Sequence, residues 1–136
     1  MDIEGKVGVI TGAASGIGRA AAIELQKQKI KVLALVDLSD AVLELAYEIN
    51  KLRGKTVAIG FQGDTTDPEF RKRVFETMRT QHGPVNICVP AAGITRDALA
   101  VRLNKEKGTA NIYPIENFRQ VVEVNLIAPT YWAMEM

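Results

Sequence analysis

Short β-branched apolar runs alternate along the chain with longer segments whose apolar residues recur at helical spacing. Lys6–Thr11 and Lys31–Asp37 are predicted as the first two strands, and the second is almost continuously apolar, which is typical of a strand covered on both faces. Two further strands are predicted over Thr56–Phe61 and Val85–Pro90. This alternation predicts right-handed βαβ units, and therefore an α/β fold with a doubly wound parallel sheet.

Helical spacing places three helices between these strands. The first is predicted from Gly16 to about Lys29, and the second ends at Gly54, a residue suited to the left-handed conformation that closes many helices. The third begins with Asp67 as its N-cap and Pro68 in first position, where a proline costs no hydrogen bond. The apolar stripes of the second and third helices are Val42, Leu45, Ile49 and Leu52, and Phe70, Val74 and Met78.

The last third of the chain is less regular. Residues 96–116 are polar, contain Gly108 and Pro114, and are expected to form an irregular, exposed excursion over the carboxyl edge of the sheet. A fourth helical pattern begins at Asn117 and continues to the last residues without a capping signal. We therefore expect residues 1–136 to form one domain that is incomplete at its C-terminus, with Tyr131 and Trp132 packing into a missing remainder or a partner chain.

Composition excludes several classes of protein. Apolar residues make up 47% of the chain and charged residues 24%, with a net charge of +1, so neither a nucleic-acid partner nor a membrane partner is indicated. One cysteine and one histidine cannot form a Cys/His metal site, and we expect no metal. No apolar run approaches the roughly 18 residues of a membrane span, and Asp2 and Glu4 do not fit a signal peptide. A cytoplasmic location, or an organelle matrix, follows as the expectation.

The first predicted strand leads directly into a glycine-rich turn, Gly12-Ala13-Ala14-Ser15-Gly16-Ile17-Gly18, and then into a helix. Gly12 permits a tight turn, Gly16 lets backbone N–H groups approach a pyrophosphate, and Gly18 allows the helix to pack closely on the strand. The helix N-terminus supplies the partial positive charge that phosphates require. The turn therefore predicts a phosphate cradle, although its spacing differs from the common dinucleotide fingerprint.

Two carboxylates are predicted at the carboxyl edge of the sheet. Asp37 ends the second strand, where it can accept hydrogen bonds from both ribose hydroxyls of an adenosine. It would repel a 2′-phosphate, and neither Ser15 nor Leu38 supplies a compensating cation, so NAD is favoured over NADP. The alternative is that Asp37 caps the next helix. Asp64 follows the third strand and is open to two interpretations, a partner for the adenine amino group or a loop cap.

Several motifs in order resemble the short-chain dehydrogenases/reductases. They are Thr11 to Gly18, Asp37, Asp64-Thr65, Ala92-Gly93 and Val124-Asn125-Leu126, and together they cover nearly the whole chain. The segment from Ala92 to Asp97 is most similar to the 3-oxoacyl-[acyl-carrier-protein] reductase branch. The resemblance implies a Rossmann sheet, a nicotinamide cofactor, a small-molecule carbonyl or secondary alcohol substrate (a 3-oxoacyl thioester for that branch), and a homo-oligomer.

The resemblance also implies the roles of particular residues. Asn125 matches the asparagine of the family's active site, whereas the serine and the Tyr-x-x-x-Lys pair lie downstream of the segment present here. The cofactor-binding positions that it implies are Gly12, Ala14, Ser15, Gly16, Ile17, Gly18, Asp37, Leu38, Asp64, Thr65, Ala91, Ala92 and Gly93. We therefore expect an NAD(P)-dependent parent enzyme, with the 136 residues alone inactive.

Two prolines bear on this site. Pro90 stands where the family usually has an asparagine that ties strands together, and it removes a ladder hydrogen bond unless its nitrogen faces outward. Pro129 cannot donate to the carbonyl of Asn125, so a kinked helix with that carbonyl free to hold a water is expected. The alternative is a tolerated proline beside an Asn125 that bonds to main chain.

Two other functions compete with the oxidoreductase. One is an inactive dinucleotide-binding module that lacks the serine, tyrosine and lysine. The other is a methyltransferase-type domain that binds S-adenosylmethionine, which the glycine spacing and Val124-Asn125-Leu126 disfavour. The basic run Arg71–Arg73 opposes the apolar stripe of the third helix and is expected to be a solvated face.

Overall fold

A computed structural model describes residues 2–136 as a parallel sheet with helices on both faces. The strands lie in the order β3-β2-β1-β4 and every neighbouring pair is parallel. This confirms the predicted doubly wound α/β architecture. The elements of this part are β1 Val7–Thr11, α1 Gly16–Lys27, β2 Val32–Asp37, α2 Ala41–Arg53, β3 Ala58–Gln62, α3 Pro68–His82 and β4 Ile87–Pro90.

Alternate residues of β1 and β2 supply two separate cores, one on each face of the sheet. Val9 and Ala34 face α3, whereas Ile10 and Leu35 face α2. Both sets are fully buried, which explains why these strands have no polar alternation. Leu52, predicted in the buried stripe of α2, is 75% exposed, because α2 ends at the next residue and the buried face is completed by Ala46 instead.

One prediction about the outer helices is wrong, and a second is wrong for one of its three residues. Trp132 was expected to pack against a further segment or a partner chain, but it is fully buried in the core formed by the described residues, against the rings of Phe70 and Phe75. In the run Arg71–Arg73, Lys72 and Arg73 are exposed as expected, whereas Arg71 is not, because its side chain is largely covered between α3 and the C-terminal helix. There its guanidinium pairs with Glu135 at 3.1 Å and lies over the ring of Tyr131.

The excursion after β4 contains a β-hairpin, so its description as irregular was wrong, although its exposure is confirmed. Strands β5 Val101–Asn104 and β6 Thr109–Ile112 pair antiparallel, with Val101 opposite Ile112. Asn104 Oδ1 accepts from the N–H groups of Glu106 and Lys107 in the connecting turn, and Gly108 closes it with a φ of 61°. The alternating apolar residues on both sides of this turn are the signal that could have identified the hairpin.

The C-terminal helical segment has three parts. It consists of α4 Ile115–Val122, a π turn over Glu123–Ile127, and α5 Ala128–Glu135. At the end of the π turn the N–H of Ala128 donates to the carbonyl of Glu123, five residues back. The expected effect of Pro129 therefore takes the form of a wider turn just before the proline, one of the irregularities that commonly accommodate such a residue.

No helix among residues 2–136 is both long and apolar enough to cross a lipid bilayer.

Candidate functional site

A cleft of about 600 Å³ opens at the carboxyl ends of the four parallel strands. Open α/β sheets bind ligands at this edge. All the predicted cofactor positions except Ala14 and Gly18 line it. The lining residues are Gly12, Ser15, Gly16, Ile17, Asp37, Leu38, Asp64, Thr65, Ala91, Ala92, Gly93, Ile94, Arg96, Gln120 and Val124.

The glycine turn is fixed by contacts that a side chain would prevent. Gly12 has a φ of 67°, and a Cβ there would lie 2.7 Å from the backbone of Ala91 and Ala92. A Cβ on Gly18 would lie 2.1 Å from the carbonyl oxygen of Gly12, so helix α1 can approach the turn only with a glycine at this position. Gly18 therefore acts beneath the cleft, where it seats the helix whose N-terminus faces it.

The N-terminus of α1 is open toward the cleft. Ser15 is its N-cap but makes no side-chain capping bond, and the first turn holds no acidic residue. In contrast, α3 is capped by the carboxylate of Asp67, which accepts from the N–H of Glu69. The first N–H groups of an α-helix need an acceptor from outside the helix, and the helix dipole favours an anionic one. The uncapped end of α1 is thus suited to a phosphate group.

Asp37 connects the glycine turn to the start of α2. Its Oδ2 accepts from the N–H of Ala14 at 2.9 Å, and its Oδ1 accepts from the N–H of Ser39 at 3.0 Å. The capping alternative is therefore part of its role. A carboxylate has about four lone-pair sites, so two remain for hydroxyl donors from a ligand in the cleft.

The loop after β3 forms a second wall of the cleft. Asp64 Oδ1 accepts from both the backbone N–H and the hydroxyl of Thr66, which is the loop-cap arrangement. The same carboxylate lines the cleft and keeps acceptor capacity for an amino group. Thr65 is buried, and its carbonyl accepts from the indole N–H of Trp132.

Thr11 holds the turn that follows Pro90, the last residue of β4. Its carbonyl accepts from the N–H of Ala91 and its hydroxyl accepts from the N–H of Ala92. Because alternate residues of a strand face the same neighbour, the nitrogen of Pro90 points to the outer edge and costs no bond to β1. Sequence reasoning missed this role of Thr11, although a polar residue ending a buried strand was its signal.

Asn125 pairs with main chain through both ends of its amide. Its Oδ1 accepts from the N–H of Ile94 and its Nδ2 donates to the carbonyl of Ile94, both at 2.8 Å. The side chain therefore fixes the segment that follows Gly93. This is the alternative in which Asn125 bonds to backbone.

The remaining lining residues were not predicted. Ile94, Arg96, Gln120 and Val124 come from the excursion and the C-terminal helix, whose position could not be read from spacing alone. Arg96 is the basic residue of this lining, and Asp37 and Asp64 are its acids. Tyr47 and Lys51 have Tyr-x-x-x-Lys spacing, but both lie on α2 and neither lines the cleft.

Cys88 lies in β4 and takes no part in the cleft. Burial raises the pKa of its thiol to about 11, and the thiol contacts the carbonyl of Trp132 at 3.7 Å. A thiol with a raised pKa is a poor nucleophile at neutral pH. It is a packing residue.

A family model described as "short chain dehydrogenase" matches residues 6–136. The chain belongs to this family. Among curated proteins, the 3-oxoacyl-[acyl-carrier-protein] reductase FabG of Thermotoga maritima is 38% identical over 127 residues, which cover 90% of this chain and 50% of that protein. The enzyme of the same name from Escherichia coli strain K12 is 32% identical over 126 residues, with coverages of 93% and 46%.

Solved structures agree with this assignment. A short-chain type dehydrogenase/reductase from Mycobacterium marinum superposes with a TM-score of 0.76 at 26% sequence identity, covering 98% of this chain and 49% of that one. The chain thus spans about half the length of the relatives that it matches. Its resemblance to the 3-oxoacyl-[acyl-carrier-protein] reductases, expected from the segment after β4, is confirmed.

Proposed function

We propose that this chain is the cofactor-binding part of an oxidoreductase that transfers a hydride between NAD(H) and a carbonyl or secondary alcohol. The observation that carries the proposal is the single cleft in which an uncapped helix N-terminus, a glycine turn and two carboxylates meet. These are the parts that a dinucleotide requires: a cradle for its pyrophosphate and acceptors for its ribose and adenine.

The residues present fit such a cofactor. The N–H groups at Gly16 and Ile17 would hold the pyrophosphate, Asp37 the adenosine ribose and Asp64 the adenine amino group. Exposed apolar side chains at Ile17 and Leu38 would cover the faces of the bound molecule. When bound, the nicotinamide supplies or accepts the hydride, and Asn125 keeps the neighbouring Ile94 segment in position.

The charge around Asp37 supports NAD(H) over NADP(H). A 2′-phosphate would meet a carboxylate that is already fixed by two N–H donors. Arg96, the basic lining residue, follows β4, whereas Asp37 ends β2, and β1 lies between these strands. The guanidinium of Arg96 donates to the carbonyl of Thr95 beside it, on the β4 side of the cleft. The phosphate would therefore meet repulsion without a compensating cation.

Titration of the chain with NADH and NADPH tests this assignment. We expect tighter binding of NADH, and we expect Asp37→Asn to reduce the ratio of the two affinities at least tenfold, because the charge is lost while an acceptor oxygen remains. Asp40→Asn is the matched control, an acid three residues away that does not line the cleft. Equal affinities in the unmodified chain, or equal effects of the two variants, would contradict the assignment.

The substrate that we propose is a 3-oxoacyl thioester, the class named for the bacterial relatives. The competing proposal is a dinucleotide-binding module without catalysis. For these 136 residues alone it is favoured, because the lining of the described cleft contains no Tyr-x-x-x-Lys pair. An assay of NADH oxidation with a 3-oxoacyl thioester separates the two. S-adenosylmethionine, titrated in parallel, is expected not to bind.

Self-association is also proposed. Ile115 and Phe118 lie on α4 and are more than half exposed, and an apolar helix face of this kind is typical of an interface. Sedimentation of the chain over a range of concentrations tests whether it forms a homo-oligomer.

A further inference from the structure

The indole of Trp132 connects the C-terminal helix to the wall of the cleft. Its Nε1–H donates to the backbone carbonyl of Thr65 at 2.9 Å, a buried contact between residues 67 positions apart in sequence. The side chain is fully buried against Phe70 and Phe75. A buried donor and a buried acceptor that satisfy each other fix both segments, because separating them leaves two polar groups without partners.

The loop that Trp132 contacts has few other attachments. Gly63 donates its N–H to the carbonyl of Asp37, and the ring of Phe70 lies directly beneath it. Asp64 bonds only locally, to Thr66, and Asp67 donates back to the Asp64 carbonyl. Among the described residues, the bond from Trp132 to Thr65 is therefore the side-chain hydrogen bond that ties the cleft-lining residues of this loop to a distant part of the chain.

The same helical segment also holds the opposite wall. Asn125, in the π turn, binds both backbone groups of Ile94 on the β4 side of the cleft. Trp132, in α5, binds Thr65 on the β3 side. The two walls follow strands at opposite edges of the sheet, and one continuous helical segment sets the position of both.

We propose that Trp132 is a positioning residue for the adenine-side wall: its indole N–H sets the position of Asp64 and Thr65, and thereby the affinity for the adenosine half of the cofactor. The proposal rests on the dinucleotide-binding function proposed above. It predicts an effect that depends on which half of the cofactor is present, whereas a purely structural role for Trp132 would affect all ligands alike.

Trp132→Phe tests the proposal, because phenylalanine keeps an aromatic ring in the core and removes the N–H. We expect the Kd values for NADH and for ADP-ribose to rise about three- to tenfold, the loss of one buried hydrogen bond. The Kd for reduced nicotinamide mononucleotide, which has no adenosine, is expected to stay unchanged. Val74→Ala is the matched control, since Val74 is fully buried in the same core but does not line the cleft.

A second measurement uses the unmodified chain and does not depend on how the variant folds. Trp132 is the one tryptophan of the sequence, so its indole N–H gives a single resonance in a ¹H–¹⁵N spectrum. We expect ADP-ribose to shift this resonance and reduced nicotinamide mononucleotide to leave it in place. An unmoved resonance at saturating ADP-ribose overturns the proposal.

The outcomes separate this proposal from the one on which it rests. If the unmodified chain binds neither NADH nor ADP-ribose, both proposals fail. If it binds them and Trp132→Phe binds them equally well, or if Val74→Ala weakens them as much, the role of Trp132 is refuted while the dinucleotide-binding function stands.

Discussion

The part of the chain from β1 to Val85 and the part from β4 to the π turn differ sharply in how they use apolar residues. Nearly every residue of β1 and β2 is buried between two layers of helices. Of the described residues between Val85 and Ala128, none is buried. Both parts nevertheless have the regular apolar patterns of packed structure.

The hairpin shows the contrast most clearly. Its register places Val101, Leu103, Ala110 and Ile112 on one face and polar residues on the other. That apolar face remains open, with Leu103 71% and Ile112 78% exposed. An apolar pattern thus identifies the face that an element can bury, but it does not identify the partner that buries it. In the first part the partner is the sheet itself.

We expect the largest difference between the two parts when a glycine is replaced by alanine, because the same change then has very different effects on the free energy of unfolding. Gly18→Ala places a Cβ against the carbonyl of Gly12, where backbone must move, and we expect a loss of about 3 kcal/mol in the free energy of unfolding together with loss of NADH binding. Gly108→Ala meets no atom within 4 Å and strains only its φ of 61°, at a cost of about 1 kcal/mol confined to the hairpin. Denaturant unfolding of both variants, followed by NADH titration, measures this difference. Similar losses in the two variants would remove the contrast.

Two arginine–glutamate pairs extend the comparison to helix surfaces. The side chain of Arg71 is 12% exposed and bridges α3 and α5, whereas that of Arg119 is 69% exposed and pairs within α4. We expect Arg71→Met to cost about 1–2 kcal/mol, since a largely buried guanidinium loses both its ion pair and its aromatic contact. Arg119→Met is expected to cost less than about 0.5 kcal/mol. Thermal unfolding in low and high salt tests the ranking, which would be wrong if Arg119 mattered as much as Arg71.

Cys88 provides a smaller effect that depends on pH. Burial raises the pKa of its thiol from 9.0 to about 11, so the folded chain holds the proton more tightly than the unfolded chain. The contribution of this thiol to stability is therefore complete below about pH 9 and is lost as the pH rises toward 11. We expect a loss of about 1 kcal/mol, less than the full shift implies because the thiol is only half-buried and partly screened. The measurement is the difference between the pH profiles of the unmodified chain and Cys88→Ala, and parallel profiles would contradict it.

The sequence was sufficient to predict the sheet, its first three helices and most of the cleft lining, because their information is local. Strand apolarity, the Asp67-Pro68 helix start and the glycine turn each depend on residues close together in the chain. The other contributions needed long-range contacts. The burial of Trp132, the ties from Thr11 and the entry of Arg96 into the cleft depend on residues brought together only by the completed sheet.

The π turn at Glu123–Ile127 lies between α4 and α5, so the C-terminal helical segment is sensitive to changes in its number of residues as well as to substitutions. One residue more or less in a helix rotates everything beyond it by about 100° around the axis. A single insertion into α5 before Trp132 would therefore direct the indole away from Thr65 while leaving every other residue type in place. A substitution in this segment alters one contact, whereas an insertion into its α-helical part changes the phase between the two walls of the cleft. The number of residues between Asn125 and Trp132 therefore matters as much as their identities, because it sets the angle between the two side chains around the helical segment that contains the π turn.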